Sequence, residues 1–275
     1  LKLAFGICNG CTNLESIVLP EGVTNVSGMA FADCTSLRSI EIPESVTIIG
    51  GGAFSNCTSL TSIELPENTS NIGNRSFYNC KSLKNVTISC IDYTANNTAF
   101  SKCSAIDTAS VSGAKSMQTL FPDSYWSALK HVNILGPEAV EDEDADVDES
   151  SETVELVSGF CENCRALQEI VIPKGVTTIG SRAFFGCIAA SDSVTIPATV
   201  TSIGELAFAH CREMDNFYYL GDAPSVSTNI YYGTKDTLVT GVLRGRNGWT
   251  VSNSTNESAS AVLPLRWPTG TTLMC

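Results

Sequence analysis

A stretch of 23 residues repeats along this chain, and no other feature constrains its fold as strongly. Residues 35–57 read TSLRSIEIPESVTIIGGGAFSNC, and residues 58–80 follow directly as TSLTSIELPENTSNIGNRSFYNC. A later copy, residues 165–187, reads RALQEIVIPKGVTTIGSRAFFGC. Self-similarity at a fixed period of about 20 to 50 residues is the signature of a solenoid or another repeat array. We therefore predict a single repeat architecture for most of the chain.

Cysteine marks the same period along the chain. Spacings of 23 residues, and once of 24, separate neighbouring members of two series: Cys11, Cys34, Cys57, Cys80 and Cys103, then Cys164, Cys187 and Cys211. The leading apolar residue of each repeat keeps this period until Leu129, and the next one, Leu167, comes 38 residues later. We predict a repeat array over residues 1–212 with an acidic insertion at about 137–156. Residues 213–275 are predicted to form the last strand and a C-terminal cap, because the open ends of solenoids need covering.

Each repeat predicts two extended segments and a turn. In Leu60-x-x-Ile63-x-Leu65, alternation with a period of two places Ile63 and Leu65 inward. The piece Val46–Gly50 predicts a second, short strand that ends at a glycine. Ala53-Phe54-x-x-Cys57 predicts one helical turn with the phenyl ring and the thiol pointing inward. Because one coil cannot bury its apolar side alone, stacked coils should form ladders of identical side chains.

The motifs SLxxIxIP, VTxIGxxAF and xxCxSL together resemble the BspA-like leucine-rich repeats of bacterial and trichomonad surface proteins. The resemblance covers about residues 1–211, and it implies a repeat solenoid: a right-handed superhelix with a parallel β-sheet, short helical turns and loops. It also implies a secreted or cell-surface protein that adheres to host or matrix proteins. The chain departs from the pattern at Cys8 and Cys161, which stand where the repeat has Phe, and in residues 104–129, which lack the second half of the motif.

The net charge of −13 is concentrated in one segment. Pro137–Leu156 contains ten acids and no base, and without those acids the chain carries −3. A near-neutral body excludes nucleic acid as a partner, since that ligand needs a basic stripe. No run of about 18 apolar residues is present, so we expect no membrane insertion.

The alternating carboxylates of Asp144–Glu149 are typical of a calcium loop, but Glu149 stands where an EF-hand needs Gly. A solvated insertion is favoured, with weak binding of calcium or of a cationic partner as the alternative.

Two C-x-x-C pairs, Cys8–Cys11 and Cys161–Cys164, have the spacing that often indicates zinc or redox chemistry. The repeat gives them another origin, because Cys11 and Cys164 belong to the periodic series and the other two occupy the Phe position. We therefore predict no metal and no cofactor, and leave a disulfide within either pair open. The periodic cysteines are predicted to be free thiols that pack as small hydrophobic side chains.

The sequence offers few candidates for catalytic residues. His131 and His210 are the only histidines, and neither belongs to a Ser/His/Asp or metal-binding signature. We predict that the protein is not an enzyme. A glycan-acting or other enzyme is the alternative class, and it would need a deep pocket with convergent carboxylates or a histidine pair.

The outward positions of the predicted strands form the best candidate for a ligand-binding face, since repeat proteins commonly bind through extended surfaces. Tyr218 is the best single anchor, because interfaces favour Tyr. The candidate binding residues are Glu41, Glu64, Thr87, His131, Asn133, Glu169, Thr195 and Tyr218. We expect a monomeric, non-catalytic extracellular module that binds a host or matrix protein, or a glycan. A structural spacer that displays another domain is the competing interpretation.

Overall fold

The structure is a computed structural model that describes residues 1–89, 94–95, 98–112, 129–135, 154–191, 193–234, 239–242 and 247. The chain divides into two compact units, Leu1–Leu135 and Gly136–Cys275. In each unit, successive repeats form coils whose strands pair in parallel with strands of the neighbouring coils. The prediction of a leucine-rich-repeat solenoid with parallel strands is confirmed.

The first unit contains ten described strands, two per coil in most of the unit. In chain order they are β1 (Ser16–Val18), β2 (Asn25–Val26), β3 (Ser39–Glu41), β4 (Ile48–Ile49), β5 (Ser62–Leu65), β6 (Asn71–Ile72), β7 (Asn85–Ile88), β8 (Thr94–Ala95), β9 (Thr108–Ser112) and β10 (His131–Leu135). Strands from the SLxxIxIP half form the sheets β1-β3 and β5-β7-β9-β10. Strands from the VTxIG half form the sheet β2-β4-β6-β8.

The second unit repeats this arrangement with seven described strands. They are β11 (Val154–Leu156), β12 (Val176–Ile179), β13 (Val194–Ile196), β14 (Ser202–Ile203), β15 (Asn216–Tyr219), β16 (Ser225–Val226) and β17 (Val239–Val242). Strands from the VTxIG half form the sheet β11-β12-β14-β16, and those from the other half form the sheet β13-β15-β17.

The pairing register of the strands reproduces the sequence period. Ile63 of β5 lies opposite Val86 of β7, and Val86 lies opposite Ala109 of β9. These three side chains are buried, while the flanking Ser62 and Glu64 are exposed. The two-residue alternation predicted the inward and outward faces correctly, because a parallel sheet in register gives every coil the same burial pattern.

The segment predicted as a helical turn is instead a hydrogen-bonded turn, and no helix is present in the described ranges. Successive backbone N–H groups of the turn donate alternately within their own coil and to the next coil. The N–H of Ala53 donates to the oxygen of Gly50 at 3.2 Å, and the N–H of Phe54 donates to the oxygen of Ser76 in the next coil at 2.7 Å. Because every second donor is used between coils, the local bonding of a helix cannot form. The backbone closes instead through two left-handed residues per turn, such as Gly52 (φ 65°) and Asn56 (φ 61°).

The interior consists of identical side chains stacked from coil to coil. In the first unit the rings of Phe31, Phe54, Phe77 and Phe100 stack with centroid separations of 5.4, 5.2 and 4.8 Å. Leu37, Leu60 and Leu83 are fully buried beside them. In the second unit Phe184 stacks on Phe208 at 5.4 Å. This continuous burial of apolar side chains across coils is the main stabilising term that the fold provides.

The glycine that ends each VTxIG segment allows neighbouring coils to approach closely. A Cβ atom on Gly73 would lie 2.6 Å from the nitrogen of Gly51 and 2.7 Å from the carbonyl carbon of Gly50. At Gly180 it would lie 2.5 Å from the nitrogen of Ser158. The clashing atoms belong to the backbone of the preceding coil, so Gly73 and Gly180 leave no room for a side chain.

Candidate binding surface

Outward side chains of the first unit form two polar rows across β5, β7, β9 and β10. With one residue from each strand in register, the rows are Glu64–Thr87–Ser110–Asn133 and Ser62–Asn85–Thr108–His131. The amide Nδ2 of Asn133 donates to Ser110 Oγ at 3.1 Å, so adjacent members are within hydrogen-bonding distance. Glu64, His131 and Asn133 are exposed and Thr87 is half-buried. The structure therefore brings four of the eight candidates together on one face.

Glu41 lies on the same side of its own strand, β3. Its Cα partner is Val18 of β1, whose side chain is 75% exposed. Glu41 itself is exposed. The beginning of the array thus offers a carboxylate beside an apolar side chain, whereas the later strands of the unit offer hydroxyl and amide groups.

The second unit carries the remaining three candidates. Thr195 of β13 lies opposite Tyr218 of β15, and the tyrosine is 41% exposed. Beside them the amide Nδ2 of Asn216 donates to Ser193 Oγ at 3.1 Å. Glu169 is exposed but precedes a segment that forms no described strand. Thr195 and Tyr218 therefore form a pair, and Glu169 is not brought to them by strand pairing.

These rows offer a ligand hydrogen-bond donors and acceptors and one exposed phenol. His131 belongs to an outward row, whereas the ring of His210 packs edge-on between Phe185 and Tyr232, with centroids 5.1 and 5.4 Å away. His210 is therefore engaged in aromatic packing. The described geometry supports recognition of an extended partner better than activation of a nucleophile, which needs a base held at hydrogen-bonding distance.

The two C-x-x-C pairs differ in burial. Cys161 and Cys164 are buried, Cys11 is exposed, and Cys8 is intermediate. Burial raises the pKa of both Cys8 and Cys161, and the neighbouring thiol of the pair raises it further. Raised pKa values favour the protonated thiol, which is the less nucleophilic form. The described cysteines are free thiols, and the described residues include no cluster of three or more His, Cys, Asp or Glu suited to a metal ion.

The sequence profile of the "BspA type Leucine rich repeat region" matches residues 3–125 and 154–239 in six copies. These ranges include strands β1 to β9 and β11 to β16. The chain belongs to the BspA-type leucine-rich repeat family. The resemblance predicted from the repeat motifs is therefore confirmed.

Several solved structures of leucine-rich repeat proteins are similar to this chain. This BspA-type chain is 18% identical to a leucine-rich repeat protein from Bacteroides ovatus, over 89% of this chain and 67% of that one, with a TM-score of 0.42. It is 24% identical to the leucine-rich repeat protein of T. pallidum, over 69% and 71%, with a TM-score of 0.39. A leucine-rich cell surface protein of Faecalibacterium prausnitzii is 23% identical over 85% and 70%, with a TM-score of 0.37. No protein with a curated description matches the chain.

Sequence reasoning missed a second set of polar side chains, which lies on the turn segments of the BspA-type coils. The guanidinium carbon of Arg75 lies 5.2 Å from the ring centroid of Tyr78, and the ammonium of Lys102 lies 5.1 Å from it. In the second unit the guanidinium carbon of Arg182 lies 3.9 Å from the centroid of Phe185. The available signal was Arg-x-x-aromatic, which occupies the same repeat positions at residues 75–78 and 182–185.

Some sequence-based predictions concern residues outside the described ranges. They include the calcium-loop interpretation of Asp144–Glu149 and most of the predicted C-terminal cap. The boundaries of the predicted array, 1–212, and of the cap, 213–275, also stay predictions. The described residues form no helix that is long and apolar enough to span a bilayer.

Proposed function

We propose that this BspA-type array is a non-catalytic module, secreted or held at the cell surface, that binds a host or matrix protein through its outward strand rows. A glycan is the alternative ligand. The observation that carries the proposal is the polar row Glu64–Thr87–Ser110–Asn133, which holds four side chains in register on one exposed face. Membership of the BspA-type family supports the extracellular location and the adhesive role.

The chemistry of the rows suits a protein partner with an extended polar surface. Hydroxyl and amide groups can donate and accept, Glu41 and Glu64 add negative charge, and Tyr218 supplies an exposed aromatic anchor. Interfaces of this kind obtain their specificity from complementary charge and from a few well-placed anchors. We therefore expect the partner surface that faces the outward strand rows of the first unit to be neutral or basic.

The test begins with the chain immobilised against a panel of matrix proteins and glycans. For any partner captured, Glu64→Arg should weaken binding by about tenfold, because it reverses the one formal charge in the row Glu64–Thr87–Ser110–Asn133. Glu67→Arg is the matched control, since it makes the same change at an exposed residue beyond the end of β5. Equal effects of the two substitutions, or none from either, would contradict binding through the row. Folding of each variant is checked by thermal unfolding.

A structural spacer is distinguished by the same experiment. A spacer would capture no partner of its own, and charge reversal on the outward rows would change nothing measurable. A glycan-acting enzyme would instead release products from one of the glycans of the panel, which product analysis by mass spectrometry detects.

We also propose that the periodic cysteines act as a ladder of packing residues and not as redox centres. The described members after Cys11 are buried, and six of their thiols donate to backbone carbonyls of neighbouring coils, as Cys80 does to Phe54 at 3.2 Å. Alkylation of the folded chain should therefore label Cys11 readily and Cys80 only after unfolding. Mass mapping of the labelled peptides tests this, and rapid labelling of Cys80 in the folded chain would contradict it.

A further inference from the structure

Two side-chain clusters of matching composition lie at equivalent places in the two units. Counted from the repeat cysteine, each has an arginine five residues before it and an aromatic residue two before it. Each also has a third residue one position before the cysteine of the next coil. The clusters are Arg75, Tyr78 and Lys102 in the first unit and Arg182, Phe185 and His210 in the second.

The backbone places both clusters in the same register. In the first unit the N–H groups of Phe54 and Asn56 donate to the oxygens of Ser76 and Tyr78 at 2.7 and 2.8 Å. In the second unit the equivalent bonds run from the N–H groups of Cys161 and Asn163 to the oxygens of Ala183 and Phe185, both at 2.6 Å. The coil that precedes each arginine is therefore held against it in the same way.

The clusters differ in one residue of that preceding coil. In the second unit it is Glu162, whose Oε1 accepts from Arg182 Nε at 3.0 Å and also from Nη2. This bond raises the pKa of Arg182. The equivalent residue in the first unit is Ser55, two positions before its cysteine, and a hydroxyl cannot balance the charge of a guanidinium. Within the described part of the chain, no carboxylate forms an ion pair with Arg75.

The charge surrounding the first cluster favours an anion. Two cations lie over one ring, since the guanidinium carbon of Arg75 and the ammonium of Lys102 are 5.2 and 5.1 Å from the centroid of Tyr78. Arg75 and Lys102 are exposed. Focused positive charge raises the local concentration and association rate of anionic ligands.

We propose that Arg75, Tyr78 and Lys102 bind an acidic side chain of a partner protein, in the position that Glu162 takes beside Arg182. The second unit supplies the precedent: there Arg182, packed on the ring of Phe185, binds the carboxylate of Glu162. Packing on the ring orients the planar guanidinium, and an oriented guanidinium matches a carboxylate through two N–H groups. The site lies on the turn segments, so it is independent of the outward strand rows.

The test uses the full chain and a fluorescein-labelled hexaglutamate peptide, with binding followed by fluorescence anisotropy at low salt. We expect the wild type to bind hexaglutamate and not hexaglutamine. Arg75→Gln should weaken binding by about fivefold, the upper range for a partly exposed arginine–carboxylate pair. Thr87→Ala, on the outward row, should leave the affinity unchanged. That variant separates failure of this site from failure of the proposed strand-row function.

A pair of exchanges between the two units makes the test specific. Ser55→Glu supplies the missing carboxylate from within the chain and should abolish peptide binding, whereas Ser62→Glu, the same change on the outward row, should not. Glu162→Ser removes the internal carboxylate from Arg182 and should raise the stoichiometry from one peptide to two. Thermal unfolding confirms that each variant is folded.

Several outcomes would overturn the proposal. Absence of hexaglutamate binding by the wild type would do so, as would undiminished binding by a folded Arg75→Gln variant. An unchanged stoichiometry in Glu162→Ser would show that the three-residue cluster is not sufficient for a carboxylate. Binding of a uronate oligosaccharide without binding of hexaglutamate would replace an acidic protein segment by an acidic glycan as the ligand.

Discussion

The thiol of Cys57 donates to the backbone carbonyl oxygen of Phe31 in the preceding coil, with the sulfur 3.1 Å from the oxygen. Cys80 makes the same bond to Phe54 at 3.2 Å, one coil further on. Cysteine fills this position because its side chain packs as a small hydrophobic group and still carries a weak donor. Alanine would leave the carbonyl without this donor, and a larger side chain would not fit between coils packed at this spacing.

The buried thiols predict that the fold weakens in alkali. Burial is the main cause that raises the pKa of Cys57 from an ordinary 9.0 to about 12 and that of Cys34 to about 11. Above pH 9.0 the unfolded chain loses these protons while the folded chain keeps them. The contribution of these thiols to the free energy of unfolding should therefore be constant well below this pH and decrease as the pH rises above it. Urea unfolding at a series of pH values, under reducing conditions, measures this.

The control for this prediction removes one thiol. Buried tyrosines such as Tyr219 also have raised pKa values and add to the alkaline slope. Cys57→Ala should have a shallower slope than the wild type above pH 9.0, although it is less stable at neutral pH. Identical slopes would show that the Cys57 thiol does not contribute to the alkaline transition.

The close approach of coils at Gly73 predicts a severe effect of a single methyl group. In Gly73→Ala the new Cβ would lie 2.6 and 2.7 Å from backbone atoms of Gly51 and Gly50, which cannot move aside as a side chain can. We expect a loss of about 3 kcal/mol or more in the free energy of unfolding, the upper range for overpacking. Chemical denaturation measures it.

Gly51→Ala is the matched control for Gly73→Ala. Its Cβ would lie 3.3 Å from the carbonyl oxygen of Asn74, a contact that a small shift relieves. Neither glycine has a positive φ, so backbone strain does not distinguish them. A loss below about 1 kcal/mol is expected for Gly51→Ala. A comparable loss in both variants would mean that glycine is needed there for reasons other than space.

The cluster around Tyr78 predicts an altered titration of its phenol. A hydrogen bond from Lys102 is the largest cause that lowers the pKa of Tyr78 below its ordinary 10.0, and the nearby charges of Lys102 and Arg75 act in the same direction. Lys102→Met should therefore raise this pKa towards 10.0. Resonances of labelled tyrosine rings, followed by NMR against pH, measure it. Lys81→Met is the control and should leave the titration of Tyr78 unchanged.

The fold could be predicted from the sequence because every coil repeats the same sequence pattern and forms the same structure. The repeat period alone makes Ile63, Val86 and Ala109 equivalent positions of successive coils. Parallel pairing in register then places these residues opposite one another in the sheet. The outward candidates follow from the same period, which is why Glu64, Thr87 and Asn133 lie in one row. Local propensity and global packing agree at these positions, so the pattern alone was sufficient.

The turns could not be predicted in the same way, because their structure depends on bonds between coils. The segment around Phe54 has a spacing that fits a helical turn, yet the N–H of Phe54 donates to Ser76 in the next coil. The cluster of Arg75, Tyr78 and Lys102 was missed for a related reason. Its members come from two coils, and their contacts follow from how the turns stack rather than from the strand alternation used to choose candidates.

A chain of side-chain amides on these turns leads to the last prediction. Asn56 Nδ2 donates to Asp33 Oδ1 at 2.8 Å, and Asn56 Oδ1 accepts from Asn79 Nδ2 at 2.9 Å. Asn56 also has a φ of 61°, which asparagine tolerates better than alanine.

Asn56→Gly keeps the backbone and loses both bonds, so it should cost about 1.5 kcal/mol in chemical denaturation. Asn56→Ala adds the left-handed strain and should cost about 1 kcal/mol more. Glycine occupies the equivalent position at Gly10 and Gly186, so the first variant is sterically compatible with the fold. If the two variants were equally stable, backbone conformation would not explain the choice of residue here.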